Sequence, residues 1–229
     1  MKKVIYILLF TALFFIPKIN AQEEKGLEIN AEASLVSSYV WRGMYQSGAS
    51  LQPSLSASLS GFTLEAWGSK DFSTPFKEFD FLLSYETGGF SVGLNDYWCG
   101  EEGTPYFEYK EQHLLEGTIG FNFGEKFPLS VSWNTMFFGD QDKNEKGKQL
   151  FSSYLMFGYD FSVKEVECNA EVGVTPWKSI YSDDFNVMNI SLKASKKISI
   201  TNKFSLPLFV QAIFSPATND AHLVFGITF

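Results

Sequence analysis

Carboxylates are the most regularly placed reactive groups in this chain. Glu28, Glu32, Glu65, Asp80, Glu86, Glu116, Asp160, Glu167 and Glu171 all occupy the polar positions of alternating segments, opposed there by Arg42, Lys193 and Lys203. Nine acids against three bases cannot all be paired, and an unpaired buried charge costs several kcal/mol, on the order that rules out a dry interior. Water must reach them, so the surface they line either favours cations and basic solutes over anions or is simply hydrated. The sequence leaves both readings open. Two histidines, His113 and His222, are too few for a His-based metal site. There is no phosphate loop, dinucleotide fingerprint, zinc-type cysteine spacing or EF-hand, so no cofactor is expected. Asp183-Asp184 and Glu101-Glu102 read as solvated loop charge rather than calcium ligands.

The segments that carry these acids have a period of two, as strands with two unlike faces do. Leu51-Gln52-Pro53-Ser54-Leu55-Ser56-Ala57-Ser58-Leu59-Ser60 and, after Gly61, Phe62-Thr63-Leu64-Glu65-Ala66-Trp67-Gly68 show it clearly. Strand one runs from Leu27 to about Trp41, with a loop near Gly43 to Gly48. The others fall at about 50–60, 62–71, 79–86, 90–98, 111–123, 128–138, 149–162, 166–175, 185–197 and 203–214, and the last ends at Phe229. Thr87-Gly88-Gly89 and Ser60-Gly61 suit two-residue hairpins, whose backbone needs positive φ.

The first segment stands apart. A basic Met1-Lys2-Lys3, an apolar Val4 to Ile16 and Pro17 to Ala21 form a secretory signal cut before Gln22; thirteen residues are too few to span a bilayer. Residues 22–229 are then the mature domain. Of the 18 basic side chains three are lysines within residues 1–21, leaving 15 against 26 acids, a formal net of −11. That balance excludes nucleic acid as a partner. Apolar residues make up 45%, including 24 Phe, 10 Tyr and 5 Trp, without any long apolar run after the signal. An exported chain of this kind fits a β-barrel membrane protein.

Twelve strands in 208 residues leave room for transmembrane strands of about 9–11 residues. The fold read from the sequence is therefore all-β: one antiparallel up-and-down barrel of about twelve strands in the outer membrane of a Gram-negative bacterium. Connections after strands 2, 4, 6, 8 and 10 are short or middling and those after 1, 3, 5, 7 and 9 long, which puts both termini in the periplasm. Aromatic girdles are expected from Tyr39, Trp41, Trp98, Phe137 and Trp177 at the outer rim and Phe62, Phe90, Phe123 and Phe229 at the periplasmic one. The rival folds, a lipocalin-like barrel or a two-sheet sandwich, alternate as well, but no small soluble core could hold so many carboxylates uncompensated. The terminal Phe229 has the shape of a signal for the outer-membrane barrel assembly machinery. Partners are thus membrane lipids, that machinery and small polar solutes. Cys99 and Cys168 fall near opposite rims, beyond the roughly 4.4–6.8 Å a disulfide allows, so two free thiols are expected.

Some outer-membrane barrels hydrolyse or transfer acyl groups with a rim Ser and His. His113 has the lipid-facing parity at the right level, but no Ser follows it at short spacing and Gln112-His113-Leu114 matches no nucleophile motif. The chain is read as a non-enzyme. His222 alternates toward the lumen as a wall residue.

Leu35-Val36-Ser37-Ser38-Tyr39-Val40-Trp41-Arg42-Gly43, with Gln46-Ser47, Leu51-Gln52-Pro53, Ala66-Trp67-Gly68-Ser69 and Asp71-Phe72, resembles the start of TorF-type porins. The resemblance covers about 45 residues closely; Ser38 stands where an Asp is common, and the order around Leu51-Gln52-Pro53 differs. It implies an outer-membrane barrel with a porin-like role and names no substrate. Arg42 then either constricts the pore mouth or pairs with a neighbouring carboxylate or headgroup at the rim. Three functions follow for test: a passive channel with an acidic lumen, a non-conducting barrel whose loops bind a partner, and a lipid-active enzyme.

Overall fold

A strand whose two faces differ in polarity can satisfy both only if one is turned to a separate compartment, and closing the sheet achieves this while leaving no open edge. The computed structural model describes residues 26–201 and 204–229; the signal segment 1–21 and Lys203 lie outside them. Among the described residues twelve strands close an antiparallel barrel. They are β1 (Glu28–Val36), β4 (Ser50–Leu59), β5 (Phe62–Asp71), β6 (Lys77–Thr87), β7 (Phe90–Gly100), β8 (His113–Asn122), β9 (Leu129–Phe138), β10 (Ser153–Val163), β11 (Val166–Thr175), β12 (Asn186–Thr201), β13 (Phe204–Ser215) and β14 (Asp220–Thr228). Each barrel strand pairs with its neighbour in the barrel sequence, and β1 closes on β14 through Ser34↔Thr228, Leu35↔Ile227 and Val36↔Gly226. Two more, β2 (Tyr39–Trp41) and β3 (Met44–Ser47), form a separate ribbon.

The apolar row faces out. Leu55, Leu64, Phe81, Leu83, Val92, Leu94, Ile119, Phe121, Phe157, Leu192, Leu223 and Phe225 are all exposed, whereas Asp80, Glu116, Asn134, Asn189 and Ser191, on the opposite parity, are buried. A sandwich or a lipocalin-like core would bury the first set. The two-residue turns lie at one end, the turn end, with the start of β1 and the end of β14. At Ser60-Gly61 both central residues have positive φ, 51° and 88°, the conformation that matches strand twist in a tight hairpin.

The expected strand one is the element the structure changes. It does not continue to Trp41. The chain leaves the wall after Val36, turns inward at Ser37-Ser38, and crosses the barrel interior as the β2–β3 hairpin before rejoining the wall at Ser50. Val40 packs on Val36, Ile213 and Val224, three apolar residues on the inner wall. Trp41 and Met44 pack on Met136, Tyr154, Tyr181 and Met188. Tyr39 lies against Trp67 and Tyr45 against His222, with ring centroids 5.5 and 6.1 Å apart. The exit is pinned where the Gly48 amide donates to Asp71 Oδ2 at 2.6 Å and the Ser47 and Ser50 hydroxyls meet at 3.0 Å. Met188 is fully buried although Ile190 and Leu192, two and four residues on, are exposed: the register shift between Gly173 and Val174 makes it the extra residue of a β-bulge, and such a bulge re-aims its side chain.

Cys99 lies in β7 at the loop end and Cys168 in β11 toward the turn end, and both are free. Residues 111 and 112, expected to open strand six, instead end the one-turn helix α1 (Tyr109–Gln112).

The hairpin depends on close approach at Gly43, where φ is 78° and an added Cβ would stand 1.9 Å from the Met188 carbonyl oxygen. Gly43→Ala should therefore displace the hairpin without preventing closure of the wall, at a cost of about 1–3 kcal/mol. Urea titration in micelles reads the loss, and chymotrypsin should cut near Tyr39–Tyr45 in the variant but not in the parent.

Candidate functional site

The inward hairpin places the chain's single arginine in the barrel interior. Arg42 and Gly43 form its two-residue turn, both at positive φ, 51° and 78°. Left-handed backbone costs a non-glycine residue roughly 1–2 kcal/mol, so the side chain must recover it. Arg42 Nη1 donates to Glu116 Oε2 at 2.6 Å and Nη2 to Glu116 Oε1 at 2.8 Å, a bidentate pair. Nη1 also donates to the Tyr181 hydroxyl. The guanidinium carbon lies 4.5 Å from the Trp41 ring centroid and 4.7 Å from that of Tyr154, within cation–π range.

Glu116, on β8, has no exposed surface, and Arg42 is about one-tenth exposed. Its Oε1 accepts two more bonds, from Tyr97 OH at 2.9 Å and Asn95 Nδ2 at 3.2 Å. Thr118 accepts from Asn95 and donates to Asn134, which donates in turn to the Tyr154 carbonyl at 3.0 Å. The pair is thus tied by a polar ladder from β7 to β10, which satisfies the lone pairs that a buried ion pair must satisfy to persist.

The other acids stand apart from this cluster. Glu65 and Glu171 are half-buried on the inward parity, Asp80 is buried and accepts from the Trp98 amide at 3.2 Å, and Asp160 accepts from Asn169 Nδ2 at 2.8 Å. Glu28, Glu32, Glu86 and Glu167 are exposed near the turn end of their strands. Among the described residues, Glu116 alone of the nine forms an ion pair. Lys193 sits over the Phe209 ring, 4.3 Å from its centroid.

Two girdle expectations are corrected. Tyr39 and Trp41 do not sit on the outer rim of the wall; the hairpin carries them inside, where Trp41 stacks on Arg42 and Tyr39 stands beside Glu78, Asp80 and Cys99. Arg42 is likewise not at the rim. Trp98 keeps its place on the wall but is only 6% exposed, because the connection after β7 folds over it: Tyr106 lies 5.5 Å away, and the indole donates to the Pro105 carbonyl at 3.4 Å. Phe137, Trp177, Phe62, Phe90, Phe123 and Phe229 are exposed.

The same connection locks His113. Its Nδ1 meets Asp96 Oδ1 at 2.7 Å, its Nε2 meets the Tyr106 carbonyl at 2.6 Å, and Tyr109 stacks on the ring at 3.9 Å. Both ring nitrogens are thus engaged by oxygen atoms of the wall and its cover. At the loop end, Lys143 hydrogen-bonds Asp140 and Lys178 hydrogen-bonds Asp183, and each lysine holds its carboxyl below the usual range.

Tyr97, Tyr154 and Tyr181 are the site residues that the sequence did not mark. Tyr97 and Tyr154 share the inward parity with Asn95 and Ser152, a signal that was available. Tyr181 comes from the connection between β11 and β12, where no periodicity applies.

An apolar exterior, a polar interior and an inward latch define the class: a barrel of the transmembrane type, hydrophilic within. The chain belongs to the family Gcw_chp, described as bacterial protein of unknown function, whose model matches residues 20–214. No curated protein matches it by sequence. Solved structures similar to it include a KdgM porin (10% identity, covering 88% of this chain and 97% of that one, TM-score 0.47). Others are the COG4313 outer membrane channel from Pseudomonas putida F1 (12%, 92% and 98%, TM-score 0.42) and BamA from Haemophilus ducreyi lacking POTRA domains 1-3 (12%, 82% and 41%, TM-score 0.41).

Removing one partner of a buried pair costs about 3–5 kcal/mol. Arg42→Ala and Glu116→Ala should each lose about that much, and the double variant clearly less than the sum. A double-mutant cycle on urea unfolding in micelles checks this; additive losses would mean that the two residues do not act together.

Proposed function

We propose that this protein is an outer-membrane porin-like channel that passes small water-soluble solutes, cations in preference to anions, through an acidic lumen. The observation that carries the reading is the inverted polarity of the closed wall, with large apolar side chains exposed all round and carboxylates turned inward. Only a lipid exterior rewards that arrangement, and only water inside tolerates acids without partners. In this reading the turn end and both termini are periplasmic, the long connections are external, and residues 1–21 are removed on export. Phe137 and Trp177 meet the outer interface; Phe62, Phe90, Phe123 and Phe229 meet the inner one. The resemblance to TorF-type porins agrees with this role.

The hairpin gives the channel a constriction. A cavity of about 490 Å³, lined by Glu86, Ser91, Asn122, Ser130 and Ser132 among others, opens at the turn end, whereas the loop end is crossed by β2–β3. A second reading, a non-conducting barrel with partner-binding loops, is favoured by the depth of the Arg42–Glu116 latch.

Planar bilayers separate the two. The parent should give small cation-favouring currents, and a variant with residues 39–47 replaced by a short Gly-Ser linker should conduct several-fold more. If neither passes current across repeated preparations that fold, as heat-modifiable migration reports, the channel reading is wrong.

A further inference from the structure

The wall around Arg42 is more elaborate than holding a hairpin requires. At the hairpin's other contact, Val40 is held by apolar packing on Val36, Ile213 and Val224, which orders a turn without burying any charge. At Arg42 the wall supplies a carboxylate with both oxygens presented to one fork. It adds the ring face of Tyr154, and the connection between β11 and β12 adds the hydroxyl of Tyr181. Asn95 and Tyr97 also hold Glu116 Oε1 through two bonds that do not involve Arg42. Planar bidentate recognition with an aromatic face is what a guanidinium needs and what a compact ammonium or a metal ion does not. Of these groups only Arg42 and Trp41 belong to the hairpin; Glu116, Asn95, Tyr97 and Tyr154 are on the barrel strands β7, β8 and β10. The receptor is therefore separable from its occupant.

We propose that the Glu116 pocket is a binding site for organic cations of the guanidinium class, that Arg42 fills it as a tethered occupant, and that a free guanidinium solute competes with Arg42 for it. The occupant is held in left-handed backbone, so leaving the pocket relieves part of the cost of the exchange. Displacement frees the hairpin from the wall at Glu116 and Met188. The binding step stands without the channel reading; the opening of a lumen by that displacement rests on it.

Titration calorimetry of the refolded barrel with methylguanidinium chloride tests the site. Arg42→Ala should bind one equivalent at least about tenfold more tightly than the parent, because the tethered competitor is gone. Adding Glu116→Gln should abolish that binding, and methylammonium, lacking the fork, should bind about tenfold more weakly. Arg42→Lys, which leaves a point charge in the pocket, should fall between parent and Arg42→Ala; it carries the comparison should Arg42→Ala not fold. No saturable binding by either variant, equal binding with and without Glu116, or equal binding of the two cations would overturn the proposal. Bilayer recordings then separate the two readings. Binding without current in any variant removes the channel and keeps the site, whereas current without binding does the reverse.

Discussion

Glu116 sets the terms for the interior of this barrel. A carboxylate with no exposed surface has lost its water, and the effective penalty for that is several kcal/mol per ion, on the order that only a well-placed partner and further hydrogen bonds can offset. The partner is supplied from within the barrel by a hairpin, since the neighbouring strand β7 offers Asn95 and Tyr97 but no cation. Everything that makes the hairpin an inward one serves that end: the turn at Ser37-Ser38, positive φ at Arg42 and Gly43, and a missing Cβ where the chain meets the Met188 carbonyl. The apolar contacts of Val40 and Met44 supply the burial that makes the excursion worth ordering, at about 25 cal/mol for each Å² of apolar surface removed from water.

The wall itself answers a different constraint. Closing twelve strands removes every edge and satisfies the backbone without solvent, so the exterior can be uniformly apolar. The interior then has to accommodate the polar half of every strand. It does so with small groups near the turn end, where Ser91, Gly120, Ser130 and Ser132 line a cavity, and with large ones near the loop end, where Met136, Tyr154, Met188 and the hairpin fill it. Gly173 belongs to the same device: a Cβ there would collide with the Tyr154 hydroxyl at 1.8 Å, so the ring that faces Arg42 requires it.

The parity of each strand was legible because a period of two is a local property, and one polar row in register across twelve strands decides the inside. Strand ends were legible where glycine marked them, at Gly61 and at Gly88-Gly89. The hairpin was not legible for two physical reasons. Tyr39-Val40-Trp41 continues a strand-like composition past the break at Ser37-Ser38, so the pattern runs on where the chain does not. Its turn also carries Arg-Gly in place of the Asn-Gly or Asp-Gly that signals such turns, because the first position was given to chemistry at the expense of propensity. Met188 departs from the alternation of β12 because a bulge moves one residue across the wall without any mark in the sequence. Trp98 and His113 were given the right face, but not the cover of Tyr106 and Tyr109, which comes from an irregular connection. The acid row was visible as a row, while Glu116, the one of the nine that forms an ion pair among the described residues, was indistinguishable from the other eight until its neighbours were known.

That distinction divides the interior electrostatically. At the loop end the buried anion is neutralised by a bidentate cation and screened from water, so its field beyond the pocket is small. Toward the turn end Glu28, Glu32, Glu86 and Glu167 are exposed, form no ion pair among the described residues, and sit within low-dielectric walls that focus their field. In the proposed channel reading these acids would concentrate cations in front of the Glu116 pocket that Arg42 fills. Were the latch merely structural, the acids below it would be a cost with no return, because each raises the repulsion around a barrel already carrying excess negative charge. In that reading the exposed acids and the buried Arg42–Glu116 pair form a single arrangement rather than two coincidences.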